Sequence, residues 1–187
     1  MKFFAATFSL LLFLSAFESH AVMVPMTTEQ LTKSSQLVVR GTVTRVESYW
    51  SDDGKAIFSK AYIFVTDVIH GEDPSQEIVV EYEGGEIGDM GYRVSDSAVF
   101  EEGEDTLLFL QDSAAARNAP SDPAAESTGA AALTKSRHLV GKAQGKYSID
   151  RAGIARKRGF SLLGEPGTID NNIEVDKLID KIERARP

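Results

Sequence analysis

Leu37-Val38-Val39-Arg40-Gly41-Thr42-Val43-Thr44-Arg45-Val46-Glu47-Ser48-Tyr49-Trp50 is the stretch that decides the fold. Successive side chains of a strand alternate between faces, so Leu37, Val39, Gly41 and Val43 share one side. After Val43 the inward set slips to Val46, Ser48 and Trp50. A period of two that changes phase within one run predicts a β-bulge near Thr44 and Arg45. A long strand bent in this way suits a small barrel, in which one strand turns a corner and pairs on both sides.

Working outward, Ser51-Asp52-Asp53-Gly54 supplies the positive φ of a tight hairpin turn. A second long strand is predicted from Ile57 to Ile69, with its own slip from Ala61, Ile63 and Val65 to Val68. Ile78, Val80 and Tyr82 alternate in a third. Glu83 to Asp96, with Gly84, Gly85, Gly88 and Gly91, reads as an ordered but irregular loop. Thr106 to Leu110 reads as a short, continuously apolar strand after the turn at Glu101 to Glu104. Residues 112–136 are mostly alanine, serine and proline and cannot bury enough surface to offset their ordering, so a mobile excursion is expected there. The strand pattern resumes over His138 to Ile149, followed by a basic turn with Arg151, Arg156, Lys157 and Arg158.

Two helices flank the strands. Thr27 and Gln30 form a capping box that opens a short helix through Ser34. After Asp170, the apolar positions Val175, Leu178, Ile179 and Ile182 lie at helical spacing and form one stripe against the strands. The expected fold is all-β: a small OB-like barrel with a short N-terminal helix and a C-terminal helix. A small open β-sandwich is the alternative.

Lys2, the apolar run Phe3 to Phe17 and the small residues around Ser19-His20-Ala21 read as an export signal over 1–21. Cleavage would make Val22 the first residue. The apolar run is short for a bilayer span, which takes about 20 residues; an uncleaved anchor is the alternative. The barrel domain is then placed at 22–150, with its insertion at 112–136, and a hairpin and amphipathic helix at 151–187. The chain has no cysteine, so neither a disulfide nor a thiolate is available to it. Its 28 acidic and 20 basic residues give a net charge of −8, which repels phosphate backbones and argues against nucleic acid.

Candidate chemistry is sparse. Without the leader, His70 and His138 are the only histidines, and no His-Glu-x-x-His or Gly-x-Ser-x-Gly is present. Both histidines read as surface residues. No cofactor and no metal are expected, and the pattern points to binding rather than turnover. The acidic clusters at Glu81 to Glu83 and Glu101 to Asp105 lack calcium-loop spacing, and they and the Arg156-Lys157-Arg158 trio read as solvated. The Gly-rich loop is the strongest candidate: it carries Glu86, Asp89, Tyr92 and Arg93 on a backbone that can approach a partner closely. Its glycines alternatively do no more than satisfy turns and a strand crossing.

Three segments then carry a resemblance. Ser35 to Val43, Val68-Ile69-His70-Gly71 and Gly103 to Leu110 resemble, in order, the netrin-like or tissue-inhibitor-of-metalloproteinases-like OB-fold. The chain is also similar to a set of bacterial exported proteins that share the Gly84-Gly85-Glu86 loop, Val94-Ser95, Phe100 before Gly103-Glu104, and Ala143 to Tyr147. Their genes often accompany those of matrixin-type metalloproteases. The resemblance covers about Pro25 to Ile149. It implies an extracytoplasmic protein-binding module, periplasmic or secreted, whose partner is a secreted zinc metalloprotease that it regulates or inhibits. In the animal inhibitors the mature Cys-x-Cys-Val-Pro terminus chelates the protease's zinc; Val22-Met23-Val24-Pro25 offers a similar frame, with valines in place of the cysteines. The alternative function is an envelope or secreted glycan-binding protein or hydrolase that uses the acidic Gly-rich loop and the barrel face.

Overall fold

The computed structural model describes residues 24–72, 75–113, 136–159 and 169–186. Residues 1–21, which read as an export signal, together with Val22 and most of the 112–136 segment, lie outside the described residues. Among the described residues the architecture is mostly β with two helices, as the alternation predicted. Helix α1 (Thr28–Ser34) opens with the reciprocal bonds of the Thr27/Gln30 capping box. Strands β1 (Leu37–Trp50) and β2 (Ile57–His70) form a long antiparallel ribbon. The turn between them closes with Gly54 at φ 67° and Ser51 N–H donating to Ala56 O at 2.8 Å.

The predicted bulge is present. Val43 faces Ile63 and Arg45 faces Tyr62, leaving Thr44 as the extra residue; further slips set Ile69 and Thr66 apart on β2. Two of these extra residues are threonines that tie themselves to the opposite backbone. Thr44 Oγ1 donates to Tyr62 O at 3.1 Å, and Thr66 Oγ1 donates to Arg40 O at 3.2 Å. The hydroxyls thus satisfy carbonyls near the points where the ladder slips.

Strand β3 (Glu77–Glu83) extends the ribbon antiparallel to β2. The Gly-rich segment then departs from expectation: it is no irregular loop but carries a hairpin, β4 (Gly85–Ile87) against β5 (Met90–Tyr92). Strand β6 (Asp105–Asp112) pairs with the first half of β1, Leu37 to Thr42. The expected single strand over 138–149 is two. Strand β7 (Ser136–Leu139) lies parallel to β3 and antiparallel to β6, and β8 (Lys146–Ile149) returns along β6. Between them Gly141, at φ 64°, starts a 3₁₀ turn over Lys142–Gly145 that breaks the run. Strands β9 (Ile154–Arg156) and β10 (Ile173–Glu174) complete the sheet, so part of the basic turn is strand. The order β1-β2-β3-β7-β6 returns to β1 through the β1–β6 pairing.

Because the first half of β1 is paired on both edges, its two faces feed two cores. Leu37, Val39 and Val43 pack with Ile63, Val80 and Leu108. Val38 packs on the opposite side with Leu107, Phe109 and Tyr147. Burial on both faces is why the β6 run Leu107 to Leu110 is apolar without alternation. Helix α2 (Val175–Ala185) seals the second core with Val175, Leu178 and Ile182, as its stripe predicts, and α1 contributes Leu31.

Candidate functional site

The Gly-rich hairpin sits where it does because Gly85 has no side chain. Its φ is 143°, and a Cβ there would collide with the hydroxyls of Ser48 on β1 and Ser59 on β2. Those hydroxyls instead fasten the hairpin through a directed chain. Glu86 N–H donates to Ser48 Oγ at 3.3 Å, the two serine oxygens lie 2.8 Å apart, and Ser59 Oγ–H donates to Gly84 O at 2.6 Å. With the Ser59 proton committed to Gly84, Ser48 must be the donor between them. Ser97 Oγ also donates to Glu83 O at 2.5 Å, which fixes the return of the segment.

This leaves a cleft of about 500 Å³ between the hairpin and the end of the first core. Its floor is Val46, Tyr82 and Phe100, with the Tyr82 and Phe100 rings 5.2 Å apart. Burial pushes the Tyr82 phenol above its ordinary pKa, so it stays a neutral hydroxyl. Glu86, Tyr92 and Arg93 form the wall. Tyr92 donates to Glu83 Oε1 at 3.3 Å, and the exposed Val99 lines the mouth. A second hollow of about 240 Å³ shares Tyr82, Glu83, Val94 and Ser97 with the first and reaches His138.

Three of the sequence-predicted residues, Glu86, Tyr92 and Arg93, therefore meet in one cleft. Asp89 does not: it sits in the exposed turn of the hairpin, outside the lining. Val22 lies outside the described residues. The floor residues Val46, Tyr82 and Phe100 were missed, although the slip of the inward set to Val46 and Ser48 was the signal that could have found them.

Lys157 and the histidines also depart from expectation, and Lys146 is a further interior lysine. Lys146 is buried, and its ammonium is bound by Val99 O at 2.8 Å, Glu104 Oε1 at 2.7 Å and Ser148 Oγ at 3.2 Å. Burial lowers its pKa while Glu104 opposes that. The Ser148 hydroxyl donates to the same Glu104 oxygen. An ammonium with all three protons engaged has no lone pair to offer as a base, so this cluster ties the 101–104 turn to β8. Glu104 is consequently not merely solvated. Lys157 is likewise no solvated residue: it is only 5% exposed, its Nζ has no hydrogen-bond partner among the described residues, and it lies 4.6 Å from the centre of the Tyr147 ring. His138 is half-buried, with Nδ1 3.0 Å from Glu81 O and Nε2 3.2 Å from Ser113 Oγ, and His70 is half-buried as well.

Among the described residues no group of three or more His, Asp or Glu is placed to hold a metal ion, and no helix is long and apolar enough to cross a membrane. No protein-family model matches the chain, and a search of curated proteins gives no significant match.

Proposed function

We propose that this is an exported protein-binding module of OB-like, netrin-like type, which recognises a secreted zinc metalloprotease and restrains or escorts it. The observation that carries the reading is the cleft. A rigid sheet presents an apolar floor, a glycine-anchored hairpin supplies a charged and aromatic wall, and recognition sites combine these features. The circuit of strand pairings from β1 through β2, β3, β7 and β6 back to β1 supports an OB-like barrel over the sandwich alternative. The protease as partner rests on the resemblance of the strand motifs, and the extracytoplasmic location on the leader.

The test is recovery of a partner from the native secretome on immobilised protein that begins at Val22. A metalloprotease retained in stoichiometric amount, and lost when Glu86, Tyr92 and Arg93 are replaced by alanine without a change in thermal midpoint, is the expected result. Retention that ignores these substitutions removes the cleft from the interface. If Val22 chelates the protease's zinc through its free amine, one extra residue ahead of it abolishes inhibition; undiminished inhibition excludes that contact. A second reading, glycan binding, is favoured by the exposed rings of Trp50 and Phe64 on the ribbon. Retention on polysaccharide with no protein partner would select it.

A further inference from the structure

Strand β1 changes its partners halfway. From Leu37 to Thr42 it is held by β2 on one edge and β6 on the other, whereas from Arg45 to Trp50 β2 is its only strand partner among the described residues. The orientation of the unpaired edge follows from the register. Ser51 bonds to Ala56, so Tyr49, Glu47 and Arg45 also direct their backbone groups at β2, and Val46, Ser48 and Trp50 direct theirs away. The Val46 N–H is occupied by Glu102 Oε1 at 3.3 Å. The outward N–H groups of Ser48 and Trp50 have no backbone partner among the described residues.

This open edge borders the cleft, because Val46 and Ser48 are at once edge residues and cleft lining. We propose that an extended, cationic segment of another protein docks here as an added strand in the lane vacated by β6. Its backbone would pair with Ser48 and Trp50, and its alternate side chains would enter the cleft against Val46 and Phe100. The charge of the surroundings selects the occupant. Glu101 and Glu102 stand exposed at one end of the edge, Asp52 and Asp53 at the other, and Glu86 on the cleft wall; they outnumber Arg93 on that wall and Lys55, which pairs with Asp53. A second copy of this chain would bring the same carboxylates against themselves, which opposes self-pairing and favours a lysine- or arginine-bearing strand. The inference rests on the reading of the cleft as a recognition site and adds to it the backbone edge and the sign of the partner's charge.

Trp50 is the chain's single tryptophan and reports on the edge directly. The probe is a capped heptapeptide of alternating lysine and valine, with its glutamate-valine counterpart as control. The lysine peptide is expected to shift Trp50 emission saturably and to slow amide exchange at Ser48 and Trp50, while the inward-bonded Tyr49 amide is unchanged. Ser48→Ala and Ser48→Pro both lose the hydroxyl, but only the proline variant loses the N–H. Affinity should therefore fall about tenfold further in Ser48→Pro. If that variant is less stable, the exchange pattern of the unaltered protein carries the test. Equal affinity of the two variants, no saturable binding, or unchanged exchange at Ser48 and Trp50 overturns the edge. Equal binding of the glutamate peptide overturns the charge selection. A peptide lost on Glu86→Ala and Tyr92→Ala yet indifferent to Ser48→Pro overturns the edge and leaves the cleft reading standing.

Discussion

Lys157 shows how far one side chain can depart from what its neighbours in sequence suggest. Between two arginines it reads as solvated, yet the fold buries it over the Tyr147 ring with no hydrogen-bond acceptor among the described residues. Burial lowers its pKa to about 8, with Asp170 opposing weakly. Between that value and the ordinary 10.5 the unfolded chain binds a proton that the folded chain has released, so Lys157 makes stability rise with pH across this window. Above pH 10 the tyrosines act in the opposite sense: burial, assisted by Glu81, raises Tyr49 to about 12, and its retained proton favours the folded state less and less as pH climbs. Lys157→Met should stabilise the protein by about 1 to 3 kcal/mol at pH 7 and should flatten the rise between pH 8 and 10. Urea melts at pH 7 and 9.5 check both; a variant that is less stable at pH 7 would mean that the ammonium has a partner.

At the scale of elements, the bulge at Thr44 decides which residues line the cleft, since it carries Val46 and Ser48 to the inner side of the ribbon. Inserting one alanine between Arg45 and Val46 should cost about 3 kcal/mol or more, because a one-residue slip turns Val46 and Ser48 away from the inner face. Thr44→Val, which keeps the register and loses only the bond to Tyr62 O, should cost about 1 kcal/mol or less. Urea midpoints of the two variants separate register from hydrogen bonding. The elements legible in the sequence were those whose signal is local. The phase slip in β1, the Asp-Gly turn, the Thr27/Gln30 box and the stripe of α2 each lie within a few residues. What was not legible depends on distant partners. Strands β4 and β5 are three residues each, too short to alternate, and β7 is set apart from β8 by pairing with β3 where β8 pairs with β9. Lys146 becomes an interior residue through Glu104, 42 positions away. In the cleft, Glu86, Tyr92 and Arg93 stood out beside glycines, whereas Val46, Tyr82 and Phe100 looked like ordinary core.

For the whole molecule, β1 and β6 lie between the two cores and β2 feeds both, through Ile63 on one side and Ile69 on the other, so neither core can be lost without exposing the other. Trp50 emission, read at the cleft end, and far-ultraviolet circular dichroism, which includes α2, should accordingly report one coincident urea transition. Separate midpoints would mean that the helical side opens alone. The same shared strand sets the order of events when the chain folds. Its ribbon partner follows directly through the Ser51–Gly54 turn, whereas Asp105, which receives Arg40, comes 65 residues later. Hairpins form in about 1–10 μs, while closing a longer span costs more chain entropy and takes longer. In that interval the whole unpaired lane of β1 is a template for any passing strand, and the correct one must outrun its competitors. Refolding yield should thus fall as protein concentration rises, as a contest between closure within one chain and capture by another.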